Sequence, residues 1–185
     1  MRLFTGIALP DTTINTLSRL MDLLRPAAHV SWTRPYNLHV TLKFIGEWPE
    51  PRLAELTSAL QSVRGGGRLR IRLAGIGWLP NPHSPRILFS GVEGGEQLSL
   101  LARDTDAALV PLGVPVEKRE YRPHLTLARI RDSGTPLGAL RQAIAALEPA
   151  DFDSFEASGF SLFQSTTGPA GTIYTRISEF PLQAE

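Results

Sequence analysis

His39-Val40-Thr41-Leu42 and His124-Leu125-Thr126-Leu127 repeat the pattern His-x-Thr-Leu, one copy in each half of a 185-residue chain that holds four histidines. One copy is weak evidence, because a histidine on a strand is often a satisfied structural group and threonine is a good strand former. Two copies are much harder to reach by chance. Both read as β-strands, so alternation puts His and Thr on one face, roughly 7 Å apart, and turns the apolar residues into the core. Two such strands facing each other would bring two imidazoles and two hydroxyls to one groove.

Those groups suit displacement at phosphorus. One proton must leave the attacking oxygen and another must reach the departing one, and imidazole, with an ordinary pKa of about 6.5, is available in both forms near neutrality. Threonine hydroxyls can donate to non-bridging oxygens, and an arginine can balance their charge. Arg129, five positions after His124, is the candidate. Strict alternation puts it on the opposite face, where it would be a solvated strand-end charge; a strand end or a bulge would re-aim it toward the phosphate. A metal site fits less well, since neither copy has His-x-His, His-x-x-x-His or a carboxylate at ligand spacing.

Composition narrows the chemistry further. The absence of cysteine excludes disulfides, thiolate zinc sites, iron–sulfur clusters and cysteine nucleophiles. A formal charge of +1 makes no global case for nucleic acid, although 17 of the 19 basic residues are arginine, whose planar fork suits phosphate. No stretch approaches the roughly 18 apolar residues that cross a bilayer, and the opening segment is too short for a secretory leader. A cytoplasmic location off the membrane is expected.

The elements that must position the two motifs follow from periodicity. Strands are predicted over Arg2–Leu9, Leu38–Ile45, Arg68–Trp78, Ile87–Val92, Leu125–Ile130, Phe155–Phe163 and Thr172–Ile177. Helices are predicted from Asp11, taken as an N-cap, through Ile14, Leu17, Met21 and Leu24, and over Glu50–Val63, Gln97–Leu109 and Pro136–Leu147. Arg68, Arg70 and Arg72 share one strand face, as a stripe for a phosphate backbone or as a solvated or edge face. His29 and His83 sit in loops without a partner motif. The result is an α+β or α/β chain with no Gly-rich phosphate loop. Trp32, Phe44 and Tyr121 could stack on a base, with core packing or loop anchoring the better expectation for each.

With the two motifs in place, the sequence resembles the two-histidine phosphoesterase superfamily, and within it the bacterial and archaeal RNA 2′,3′-cyclic phosphodiesterases, also called 2′-5′ RNA ligases. The likeness is carried by Arg2-Leu3-Phe4, Trp32 to Pro35, Asn37 to Gly46, Gly75 to Pro80, Pro85-Arg86-Ile87-Leu88, Pro123 to Arg129, Leu162 to Ser165 and Tyr174. It implies a two-lobed α+β fold of pseudo-twofold symmetry, with antiparallel sheets, outer helices and a central cleft, formed by residues 1–185 as a single domain. It implies hydrolysis of a terminal 2′,3′-cyclic phosphate to a 2′-phosphate. His39 would be the acid that protonates O3′, His124 the base that activates water, and Thr41, Thr126 and Arg129 the phosphate ligands. No metal or cofactor is expected, and the partner is RNA with 2′,3′-cyclic phosphate ends, such as tRNA halves, met by a monomer. A 5′-hydroxyl replacing water would give reversible 2′-5′ ligation at the same site. Two alternatives stay open: an RNA-end-binding protein without turnover, and a phosphodiesterase of small cyclic nucleotides or an ADP-ribose cyclic phosphate.

Overall fold

Alternating apolar and polar residues build the sheets, and leucines at helical spacing build their cover. A computed structural model of the chain describes residues 1–147, 150–169 and 171–183. In chain order the elements are β1 (Arg2–Ala8), α1 (Asp11–Leu24), β2 (Ser31–Trp32), β3 (His39–Glu47), α2 (Leu53–Gln61), β4 (Leu69–Leu79), β5 (Ile87–Glu93) and α3 (Gly95–Leu109). Then come β6 (His124–Arg129), α4 (Gly138–Ala145), β7 (Asp151–Ala157), β8 (Gly159–Gly168) and β9 (Gly171–Pro181). In β4, Leu69, Ile71 and Leu73 are buried while Arg70 and Arg72 are exposed, the period of two that a half-covered strand requires.

Two antiparallel sheets result, ordered β3-β1-β8-β9 and β2-β6-β5-β4-β7. Corresponding positions carry the two His-x-Thr-Leu strands: β3 beside β1 in one lobe, β6 beside β5 in the other. The pseudo-twofold, two-lobed α+β architecture expected above is the one observed. Its helices exchange sides. α1 packs on β7 and α4 in the second lobe, whereas α3 packs on β3 and α2 in the first. One cluster of buried side chains therefore runs through both lobes, from Leu3, Ile7 and Val40 to Leu69, Leu88 and Leu125. Burying that apolar surface from both sides fixes the lobes against each other.

Several details differ from the sequence reading for local reasons. The run Phe155–Phe163 divides at Ser158, and its halves, β7 and β8, enter different sheets. The segment Glu50–Arg52 is a 3-10 turn rather than α-helix, as Pro51 cannot donate a backbone hydrogen bond. Asp11 is the first helical residue, not the cap; Pro10 takes the cap position with extended backbone, and the carboxylate lies in the first turn, where the helix dipole favours it. The two-residue β2 escaped notice because so short a strand has no period to read. The arginine stripe lies on an interior strand, and ion pairs neutralise much of it: Arg68 with Glu156, and Arg72 with Glu93 and Asp151. His29 and His83 are exposed loop residues.

Candidate active site

The two motif strands lie against each other across a cleft of about 420 Å³, within the range of roughly 300–1,000 Å³ common to ligand pockets. His39, Thr41, His124, Thr126 and Arg129 all line it. The five residues singled out from the sequence are thus brought together.

Each imidazole is held by the same device. His39 Nδ1 lies 2.7 Å from the carbonyl of Asn37, and His124 Nδ1 lies 2.8 Å from the carbonyl of Arg122. A carbonyl only accepts, so each Nδ1 carries the proton and each Nε2 is left to exchange one. His39 Nε2 sits 3.0 Å from Thr41 Oγ1. Asn37 is itself fixed: its Nδ2 donates to the Thr172 carbonyl at 2.7 Å, and its Oδ1 accepts from the Tyr174 amide at 3.1 Å. This tie from the start of β3 to β9 spans more than 130 residues of sequence, so nothing local announced it.

The His39 ring also needs room. It leans across Gly6 on β1, where an added Cβ would lie 2.8 Å from the Val40 carbonyl oxygen and 3.4 Å from His39 Cδ2. Glycine allows that approach. Beyond it stand Phe4, Tyr174 and Phe163, with ring centroids 4.7, 5.1 and 6.0 Å from the imidazole. Enclosure by these rings disfavours the imidazolium and lowers the His39 pKa to about 4; the Asn37 carbonyl opposes the shift, while the charges of Arg129 and His124 add to it. His124 has a single ring contact among the described residues, Phe89 at 5.7 Å.

Arg129 reaches the cleft because alternation is interrupted. Along the β5–β6 pairing, Thr126 is opposite Phe89 and Ala128 is opposite Leu88, so Leu127 is an extra residue in the ladder. Leu127 and Ala128 are consecutively buried, and Arg129 returns to the face of His124 and Thr126. Such a bulge re-aims whatever follows it. β3 contains its counterpart: Lys43 is opposite Thr5 and Thr41 opposite Gly6, leaving Leu42 as the extra residue. Phe44, five residues after His39, is thereby delivered to the cleft and is 66% exposed. Neither core packing nor loop anchoring, the expectation for Phe44, describes this exposed strand residue. Tyr121 is a loop anchor, its hydroxyl donating to the Thr41 carbonyl at 2.8 Å, and Trp32 packs against the core with the Arg25 guanidinium 5.8 Å from its ring centroid.

Arg86 and Arg119 line the same cleft; the sequence marks Arg86 only as part of the stretch Pro85-Arg86-Ile87-Leu88, with no role in the site, and does not mark Arg119. Arg86 precedes β5, and Arg119 belongs to the loop before β6; neither has a periodic position that would mark it. The lining includes no carboxylate, which gives the cleft an affinity for anions. Among the described residues, no group of three or more histidine or acidic side chains could hold a metal ion, and no helix is long and apolar enough to cross a membrane.

Known proteins match the chain over this whole architecture. The family model described as LigT like Phosphoesterase matches residues 7–89 and 91–174, each span carrying one His-x-Thr-Leu copy. A Methanothermobacter thermautotrophicus protein named RNA 2′,3′-cyclic phosphodiesterase is 35% identical over 184 residues, 98% of this chain and 99% of that protein. One of the same name from Thermus thermophilus is 31% identical, covering 100% and 92% respectively. The crystal structure of the Thermus thermophilus protein TT0787 superposes with a TM-score of 0.81 at 28% identity over the whole of both chains. That of E. coli LigT complexed with 3′-AMP gives 0.81 at 23% identity over 98% and 97%, a likeness of fold. With two matched spans, a shared architecture and relatives of this similarity over nearly full length, the chain belongs to the LigT-like phosphoesterase family.

Proposed function

We propose that the chain hydrolyses a terminal RNA 2′,3′-cyclic phosphate to a 2′-phosphate and a 3′-hydroxyl without a metal. The observation that carries this reading is that two imidazoles, each with Nδ1 tied to a carbonyl, share a carboxylate-free cleft with an arginine delivered by a bulge. Relatives matched over nearly their full length at 30–35% identity are named RNA 2′,3′-cyclic phosphodiesterase, which supports the substrate and the class of reaction.

On this reading His124 Nε2 takes a proton from water as its oxygen bonds to phosphorus. The P–O3′ bond breaks, and His39 Nε2–H supplies the proton to O3′. Thr41, Thr126 and Arg129 stabilise the non-bridging oxygens, whose charge grows in the transition state. The cycle leaves His39 neutral and His124 protonated, and exchange with solvent restores both. In the free cleft His39 is already neutral at pH 7; an entering phosphate offsets Arg129 and adds a negative charge, favouring the protonated acid that the step needs. With a 5′-hydroxyl in place of the attacking water, the same proton transfers would join RNA ends by a 2′-5′ linkage as O3′ departs. Phe44 offers an exposed ring for a base.

The test is turnover of an RNA ending in 2′,3′-cyclic phosphate in excess EDTA, with identification of the product isomer. A 2′-phosphate is expected, with losses of about 10²- to 10⁴-fold in both His39→Ala and His124→Ala. Dependence on added metal, or full activity in both variants, would overturn the reading.

A further inference from the structure

The reacting cyclic phosphate carries one negative charge, and Arg129 already stands on the face of both histidines to meet it. The cleft nevertheless holds further arginines and no carboxylate. Arg86 immediately precedes Ile87, which pairs with Arg129, so it stands at the same end of β6 as Arg129. Arg119 is placed differently. It lies in the segment between α3 and β6, and that segment is fastened to β3, the strand that bears His39 and Phe44.

The fastening is specific. Lys43 is buried between Asp106 on α3, at 2.5 Å, and the Pro115 carbonyl, at 2.7 Å. Asp106 in turn accepts from the Glu117 amide at 3.3 Å. Farther along, the Tyr121 hydroxyl binds the Thr41 carbonyl at 2.8 Å. The loop is thus pinned on both sides of Arg119, and only its tip projects. Glu117 Oε1 accepts from both the amide and Nε of Arg119, at 3.1 and 3.3 Å. No described residue engages the two Nη groups, and the side chain is 89% exposed. A guanidinium steadied through Nε with both Nη groups available is arranged for a bidentate phosphate contact.

Resting on the phosphodiesterase reading, we propose that Arg119 binds the phosphodiester that precedes the terminal nucleotide, so that this cleft selects an RNA strand over a cyclic mononucleotide. The selectivity then comes from charge on the penultimate linkage and carries no base information. A loop arginine that merely answers Glu117 would make no such distinction.

The experiment compares kcat/KM for a 2′,3′-cyclic mononucleotide and for a dinucleotide ending in the same cyclic phosphate, in the wild type, Arg119→Gln and Arg119→Lys. The wild type is expected to favour the dinucleotide by about tenfold or more, the effect of one charge-assisted contact. Arg119→Gln should collapse that ratio toward one and Arg119→Lys should restore part of it. Replacing the internal linkage by a neutral methylphosphonate should reproduce the loss in the wild type and add little in Arg119→Gln. On an oligonucleotide, Arg119→Gln should also flatten the plot of log kcat/KM against log salt by about 0.7, the slope of one phosphate contact to a single strand. Arg103→Gln, on the outer helix α3, serves as the charge-matched control.

Equal turnover of the two substrates by the wild type overturns the assignment while leaving the phosphodiesterase reading intact. If neither substrate is turned over, that reading fails. Affinities for a nucleoside 2′-monophosphate and a 2′-phosphorylated dinucleotide then decide the Arg119 assignment: a dinucleotide preference lost in Arg119→Gln supports it, and equal affinities overturn it.

Discussion

Replacing His39 by glutamine should remove a specific part of the protein's pH-dependent stability. In the folded cleft the imidazole titrates at about 4, mainly because the rings around it exclude water, with Arg129 and His124 contributing. In the unfolded chain it should titrate near 6.5. Between those values the unfolded chain has bound the proton and the native protein has not, so stability is fully present above about pH 6.5 and is lost as pH falls toward 4. At about 1.36 kcal/mol per pH unit the loss is on the order of 3 kcal/mol.

Denaturant unfolding of the wild type and His39→Gln at a series of pH values from 7.5 to 4 measures it. Other titrations occur in both proteins, so the difference between the two unfolding free energies isolates this group and should shrink by about 3 kcal/mol across the window. The ring resonances of His39 give the midpoint directly, near 4 in the free protein. Arg129→Met should move that midpoint upward, though only in part, since burial is the larger cause. Inorganic phosphate should raise it too, with proton uptake on binding between pH 5 and 6. A stability difference independent of pH, or a midpoint near 6.5 in the free protein, would refute the reasoning.

Arg129→Gln should lower kcat by about 10²- to 10³-fold, the usual loss for a donor aimed at developing charge, with partial recovery in Arg129→Lys; unchanged kcat would return Arg129 to the role of a solvated strand end. Gly6→Ala should destabilise the fold by about 1–3 kcal/mol and lower kcat, because the Val40 carbonyl, in the strand that carries His39, must yield to a methyl group that also lies against the His39 ring; a thermal melt and activity equal to wild type would contradict that approach. Lys43→Met should cost roughly 3–5 kcal/mol by leaving the half-buried Asp106 unpaired, and Lys43→Met with Asp106→Leu should recover much of it in denaturant unfolding. Should the double variant be as unstable as the single one, the pair would not be acting as an ion pair.

What could be read from the sequence was local. Leucine spacing placed four helices, and two tetrapeptides placed both histidines and both threonines on strands, since period and face are properties of adjacent residues. Arg129 lay at the boundary of legibility. The consecutive apolar pair Leu127-Ala128 is the one local sign of the bulge, and its counterpart Leu42-Lys43 hides the same event, because Lys43 is buried by an ion pair with a residue more than sixty positions away. Asn37, Gly6 and Arg119 owe their places to β9, to the His39 ring and to the loop's attachment to β3. The exchange of α1 and α3 between lobes is likewise a matter of tertiary packing, invisible to any window along the chain.

Duplication explains the frame of the site, and its broken symmetry explains how two like groups can take unlike roles. In both copies the carbonyl two residues before the histidine fixes Nδ1, and the fourth residue of the motif is the bulge. The next cleft-facing position is where the copies part: an exposed phenyl ring in one, a guanidinium in the other. Among the described residues, three aromatic rings enclose His39 and one touches His124. Two identical imidazoles would compete for one proton and divide their time between productive and unproductive states. Here the enclosed ring gives up its proton, partly through Arg129, and on the proposed roles the same Arg129 is the group that an entering phosphate would neutralise. On the proposed roles, the anion that needs an acid beside O3′ is thus what creates the acid, and protonation of His39 is coupled to substrate binding rather than to the pH of the medium alone.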